Sequence, residues 1–217
     1  MMLFHLIKKD ILIAKTLVII TMLLVIAVPL FSMLAAPSIS GFPSFLYVVV
    51  LVEVLLLQSI SQLEAKNPKA AALLCAAPYT RSMLIKAKYV FFILLFAYCY
   101  IVHTILALII SPASILDLTS ILTVLLCSAV VYGIYMPIEF KYGVVKGKFI
   151  FLITIFLLSL GPAVFEKFFA DVDFSGFVES IAAIPVILKC GVLAVLSAIA
   201  LIVSAAISMR GFAGKEL

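Results

Sequence analysis

Charge is scarce in this chain. Asp, Glu, Lys and Arg make up only 12% of its 217 residues, against 67% hydrophobic residues, a balance far from that of an ordinary globular domain. No soluble core of this length needs so much apolar surface. Polar stretches long enough to form a separate water-soluble domain are missing, as are internal repeats and low-complexity tails. Histidine is limited to His5 and His103, far apart in the sequence, which leaves a metal site without ligands. There are four cysteines: Cys75 lies in a loop, and Cys99, Cys127 and Cys190 lie inside apolar runs, so they cannot build an outward-facing disulfide framework. There is no G-x-x-x-x-G-K-[ST] phosphate loop. The nearest pair, Gly147-Lys148, lacks the first glycine and the hydroxyl residue, so this polypeptide is not expected to hydrolyse ATP itself. A Ser and His protease would need a serine such as Ser59 or Ser128 brought to His103 together with oxyanion donors, and nothing in the pattern supplies them. No catalytic residue is assigned.

What is present is a series of apolar runs, at about 16–36, 42–63, 89–110, 118–138, 149–165 and 183–208. Most approach or exceed the ~20 residues that span a bilayer core as a helix. Backbone amides in hydrocarbon must be satisfied internally, so only helices or closed barrels cross a membrane. A barrel would show short segments of alternating polarity, whereas these runs are continuously apolar. The expectation is an all-α integral membrane protein of six transmembrane helices, forming a single domain over residues 1–217.

Lysine and arginine fix the predicted orientation. If the runs are threaded in order, Lys8, Lys9, Lys15, Lys66, Lys69, Arg81, Lys86, Lys88, Lys141, Lys146, Lys148, Arg210 and Lys215 share one side, 13 of the 15 basic residues. The other side holds Lys167 and Lys189 with Asp117, Glu166, Asp171, Asp173 and Glu179. Both termini are therefore predicted to be cytoplasmic, and the net charge of +5 reflects sidedness rather than nucleic-acid binding. The first apolar run is longer than the core of a secretory signal, which favours a retained anchor. Ahead of it, Leu3, Phe4, Ile7 and Ile11 recur at helical spacing while Lys8, Lys9, Asp10 and Lys15 supply polar positions. This predicts an N-terminal interfacial helix, compatible with a simple basic flank of the first span.

The loop 64–88, EAKNPKAAALLCAAPYTRSMLIKAK, is far longer than a helix connection requires and is helix-forming on both sides of Pro78. Pro78 breaks the first piece, Thr80 is placed to cap the second, and Arg81, Lys86 and Lys88 bring positive charge to the headgroups. Read by itself, it is either a positive-inside anchor or a pair of short helices that docks in a groove of a soluble partner. Ala77-Pro78-Tyr79-Thr80-Arg81, followed by Ile85, Ala87, Lys88 and Tyr89, resembles the LP-x-(S/T)-R-x-x-(I/V)-x-(A)-K-Y signature of ABC-2 type transporter permeases, with Ala77 where leucine is frequent. A second stretch, from Pro137 through Lys141, Gly143 and Lys146 to Gly147 and Lys148, resembles the P-x-x-x-K-(F/Y)-G-x-x-K-(G/A)-(R/K) loop of the same family. In size and span number the chain is similar to the small six-span permeases of the phenol-soluble modulin exporters.

This resemblance implies a non-catalytic permease of an exporter in a bacterial plasma membrane, working as a homodimer or beside a related permease. ATP and Mg would be bound by a separate ATPase subunit, with no cofactor on this chain and no nucleic acid among its partners. It further implies an ATPase-coupling loop containing Glu64, Asn67, Pro78, Arg81, Lys88 and Tyr89, and an amphipathic or hydrophobic substrate, peptide being the leading class. The alternatives are a membrane-embedded capture subunit of an importer and, third, an intramembrane enzyme.

Polar residues inside the spans complete the candidates, because ionisable groups there are costly and face protein or water. Glu53, near the middle of the second span, either lines the pathway, forms a proton-linked site, or is a protonated carboxyl hydrogen-bonded to Ser, Thr or Tyr of a neighbouring helix or across a dimer interface. His103 is the other candidate for the pathway. Between the fifth and sixth spans, Phe165, Phe168, Phe169 and Val172 lie at helical spacing, which suggests an outer surface helix as readily as a loop with aromatic anchors.

Overall fold

The computed structural model describes residues 2–35, 41–66, 81–110, 115–143, 147, 149, 152–154, 156 and 184–213. Six helices order these residues: α1 (Met2–Ile13), α2 (Lys15–Ala35), α3 (Phe42–Lys66), α4 (Arg81–Ile110), α5 (Leu118–Tyr142) and α6 (Val186–Ala213). There is no strand among the described residues. Five of the helices are long and apolar enough to cross a membrane: α2 to α5 and α6 carry the candidate spans Lys15–Leu34, Phe42–Glu64, Ser82–Ile110, Leu118–Tyr142 and Val186–Gly211. They match five of the six expected runs. The remaining run, 149–165, lies mostly outside the described residues; Phe149, Leu152, Ile153, Thr154 and Phe156 within it are helical. Residues 67–80 and 157–183, which hold most of the long loop and the expected outer segment, also lie outside them.

The most enclosed helix is α3, with 72% of its apolar window buried against 11% for α6. It packs against α2, α4 and α5, while α6 lies chiefly along α5 and α1 chiefly against α4. Val48, Val49, Val52, Leu56, Leu57 and Ile60 fill the core from α3. Ile187, Ile202, Ile109 and Phe31 stay exposed, as residues facing lipid do, because lipid tails are as apolar as they are.

Local chemistry sets the ends. Asp117 caps α5 by accepting from the Thr119 amide at 3.3 Å, and Gly143 ends it with φ 88° and ψ 172°, its N–H donating to the Glu139 carbonyl at 2.8 Å. That backbone region is close to glycine-only, which explains the residue type. Two expectations shift. The helix that carries the third span begins at Arg81, ahead of the apolar run expected from 89, so residues 81–88 of the long loop belong to α4 and lead into the run without a break. In α1, Asp10 is buried and Ile11 is exposed, the reverse of the polar and apolar faces read from spacing. Asp10 lies beside Lys9 at the ion-paired end of the bundle, described next.

Candidate functional site

At the lysine-rich end of the bundle, four helices bring charged side chains together. Lys9 of α1 lies 2.8 Å from Glu64 Oε1 of α3 and 3.0 Å from its own neighbour Asp10 Oδ1. Lys88 of α4 lies 3.3 Å from Glu64 Oε2 and 3.7 Å from Glu139 Oε1 of α5. Lys88 also donates to Ser61 Oγ at 3.4 Å and sits 5.2 Å from the centre of the Phe140 ring. Glu64 and Glu139 both occupy the last turns of their helices, where the free carbonyls already concentrate negative potential. The two lysines offset that penalty, and Lys88 does so for both acids at once.

Burial makes the arrangement consequential. Lys88 and Glu139 are buried, while Lys9 and Glu64 are only partly so. Buried ion pairs add little net stability over apolar packing, yet removing one partner costs about 3–5 kcal/mol because the other charge is stranded. Outside the spans, burial pushes the Asp10 carboxyl above the usual carboxylate range, and Glu64 adds to this against the pull of Lys9 and Lys88. For Lys9, burial acts to lower the ammonium, but Glu64 and Asp10 outweigh it and hold it above its ordinary value.

One helical turn further into the bundle a hydroxyl clasp joins α4, α5 and α6. Pro137 has no N–H to give the Gly133 carbonyl four residues earlier, and Ser204 Oγ donates to that carbonyl at 2.9 Å. Ser204 has a single proton, so the Tyr89 hydroxyl 2.6 Å away is the donor to Ser204, and Ser208 reaches Tyr89 at 3.2 Å. α6 runs close to α5 here: a Cβ at Gly133 would stand 3.5 Å from Ser204 Cβ, an ordinary van der Waals contact. The Tyr89 ring meets Tyr132 edge-on at 5.1 Å, and Tyr132 stacks on Phe92 at 4.5 Å.

The residues singled out from the sequence fall into several places. Glu64 and Lys88 are brought together, and Tyr89 enters the clasp beside them. Arg81 opens α4, while Asn67, Pro78 and Lys146 lie outside the described residues. Pro137 frees the carbonyl used by the clasp, Lys141 is exposed beside Tyr142, and Gly143 ends α5. Glu53 and His103 are buried deeper, 2% and 1% exposed, with Phe45 edge-on to the His103 ring at 5.2 Å. Glu139, Asp10, Ser61, Ser204 and Ser208 were missed. Glu139 stands inside the second motif as an acid flanked by apolar residues, and that was the available signal. The serines carried none, since their role depends on which helix lies opposite. Among the described residues no group of His, Cys, Asp and Glu could hold a metal ion.

The architecture is that of a polytopic helical membrane protein with an ion-pair network joining α1, α3, α4 and α5 at one end of the bundle. Residues 5–213 match the family described as ABC-2 family transporter protein, and the chain belongs to that family. It is thus a multi-pass transporter permease, of a family whose members are membrane transport components. No curated protein and no solved structure matches the chain.

Proposed function

We propose that this chain is the permease subunit of an ATP-driven exporter in a bacterial plasma membrane, with the lysine-rich end in the cytoplasm. A separate ATPase subunit carries ATP and Mg, and a second permease copy, identical or related, completes the pathway. The substrate is amphipathic or hydrophobic, peptide being the leading class, in keeping with the apolar character of the helices. Coupling runs through the 64–88 loop. The observation that carries this reading is the Glu64–Lys88 ion pair: the two ends of the loop are tied to each other, and through Lys9 and Glu139 to α1 and α5. A push on such a loop moves four helices together instead of bending one connection.

The test is co-purification with the phosphate-loop ATPase encoded nearest to this chain, comparing wild type with a variant in which residues 67–80 are replaced by Gly and Ser. The proposal expects two permeases with two ATPases for wild type and loss of the ATPase from a normally inserted variant. A variant that keeps the ATPase at full stoichiometry contradicts it.

A further inference from the structure

Beyond the ion pairs, several buried polar atoms have no hydrogen-bond partner among the described residues: Glu53 Oε1, Tyr132 Oη, and both ring nitrogens of His103. Glu53, Tyr132 and His103 are 2%, 1% and 1% exposed, and buried polar groups are normally paired, so each calls for an explanation. Glu53 is the most demanding because its group can carry a full charge. It sits midway along α3, the most enclosed helix.

Among the described residues, the helices packed against α3 offer it no counter-charge. From α2 the only charged residue is Lys15, at its first position. From α1, Lys9 and Asp10 are engaged with each other and with Glu64 at the far end of α3. From α4, Lys88 is held by Glu64 and Glu139, and the His103 ring packs on Phe45. Cys99 of α4 and Tyr132 of α5 are within electrostatic reach of Glu53, and neither supplies a positive charge. Tyr135 and Glu139 of α5 lie toward the ion-paired end. An ionised carboxylate here would be a stranded charge in a low-dielectric interior.

We propose that Glu53 is a proton-binding site of the permease: its carboxyl is protonated while α3, α4 and α5 close around it, and it releases the proton to water when the transport cycle parts these helices. Tyr132, within reach of Glu53, meets the Tyr89 ring edge-on at 5.1 Å and so lies between the acid and the lysine-rich end. Only the release step rests on the transporter reading above; the bound proton does not.

Infrared spectroscopy of the full chain in lipid nanodiscs tests the site. At neutral pH the carbonyl band of a protonated carboxylic acid is expected, shifted in heavy water, retained in Glu53→Asp and missing in Glu53→Gln. No such band in the wild-type chain, or one unaffected by Glu53→Gln, overturns the site. The release step is read on the chain in complex with its ATPase, trapped with ATP and vanadate, where the band should fall in wild type. A band unchanged on trapping overturns release. Should no ATPase associate at all, the coupling proposal fails while the resting band still decides whether the proton is there.

Discussion

Glu64 Oε2 and Lys88 Nζ stand 3.3 Å apart, although they belong to different helices and lie on either side of loop residues 67–80 in the sequence. The pair closes the base of that loop, and Lys88 extends it to Glu139 while Glu64 extends it to Lys9. Under the coupling proposed above, movement of the loop is transmitted to α1, α3, α4 and α5 as a unit. A loop joined to two independent helix ends would lose the same displacement in local bending.

Lys88→Met keeps the length of the side chain and removes its charge, stranding Glu139 while Glu64 keeps Lys9. It should lower stability by about 3–5 kcal/mol, and replacing both Lys88 and Glu139 by apolar residues should recover much of this. Thermal unfolding of the two variants in one detergent checks the claim. Equal losses in both would mean that the charges do not interact.

Ser204 and Pro137 are predicted to be coupled. Ser204→Ala leaves the Gly133 carbonyl unpaired because Pro137 cannot serve it, at about 1–3 kcal/mol. In a Pro137→Ala background the restored N–H can take that carbonyl, and the cost of Ser204→Ala should shrink. A double-mutant cycle measures the difference.

The pH dependence of stability should show Lys9 and Asp10 with the same sign, each lowering stability as pH rises but in a different pH window. The Lys9 value is raised on folding, so its contribution is complete below its ordinary value of 10.5 and is lost as pH climbs through the raised folded value. The Asp10 value is also raised, so ionisation there works against folding, and stability falls as pH climbs from its ordinary value of 3.8 through the raised one. Asp10→Asn should therefore be as stable as wild type or more so at neutral pH. Lys9→Met should lose about 1 kcal/mol or less, since the Lys9–Glu64 pair is partly exposed. Unfolding midpoints at pH 5, 7.5 and 10.5 separate the two effects.

Gly143→Ala should cost about 1–3 kcal/mol, because φ 88° with ψ 172° is a region that side-chain-bearing residues avoid, even though a Cβ there would meet nothing. Unfolding measurements should show this loss, and a neutral substitution would mean that the chain leaves α5 by another conformation.

Much of the architecture was legible because hydrocarbon imposes one rule on every residue of a span. The runs behind α2, α3, α5 and α6 were readable as uninterrupted apolar length, and Glu53 stood out as a lone acid within one. The start of α4 was not, since Arg81, Lys86 and Lys88 read as loop charge when no partner is in view. The structure pairs Lys88 with acids from α3 and α5, and that pairing lets a charged turn continue into the span. Asp10 was assigned outward for the same reason. Spacing gives the face of a residue on its own helix, whereas an ion pair with Lys9 beside Glu64 depends on which helix is adjacent. Pro137 could have pointed to the clasp, because a proline inside a helix always releases the carbonyl four residues before it.

The most direct measurement is the ATPase rate of the reconstituted complex carrying Glu64→Gln, which preserves the shape at the base of the loop while removing its charge. The account predicts that the ATPase stays bound at wild-type stoichiometry but that substrate no longer stimulates ATP turnover. Substrate stimulation at the wild-type level would contradict it, because the loop would then transmit its movement without the ion pair that ties it to the helices.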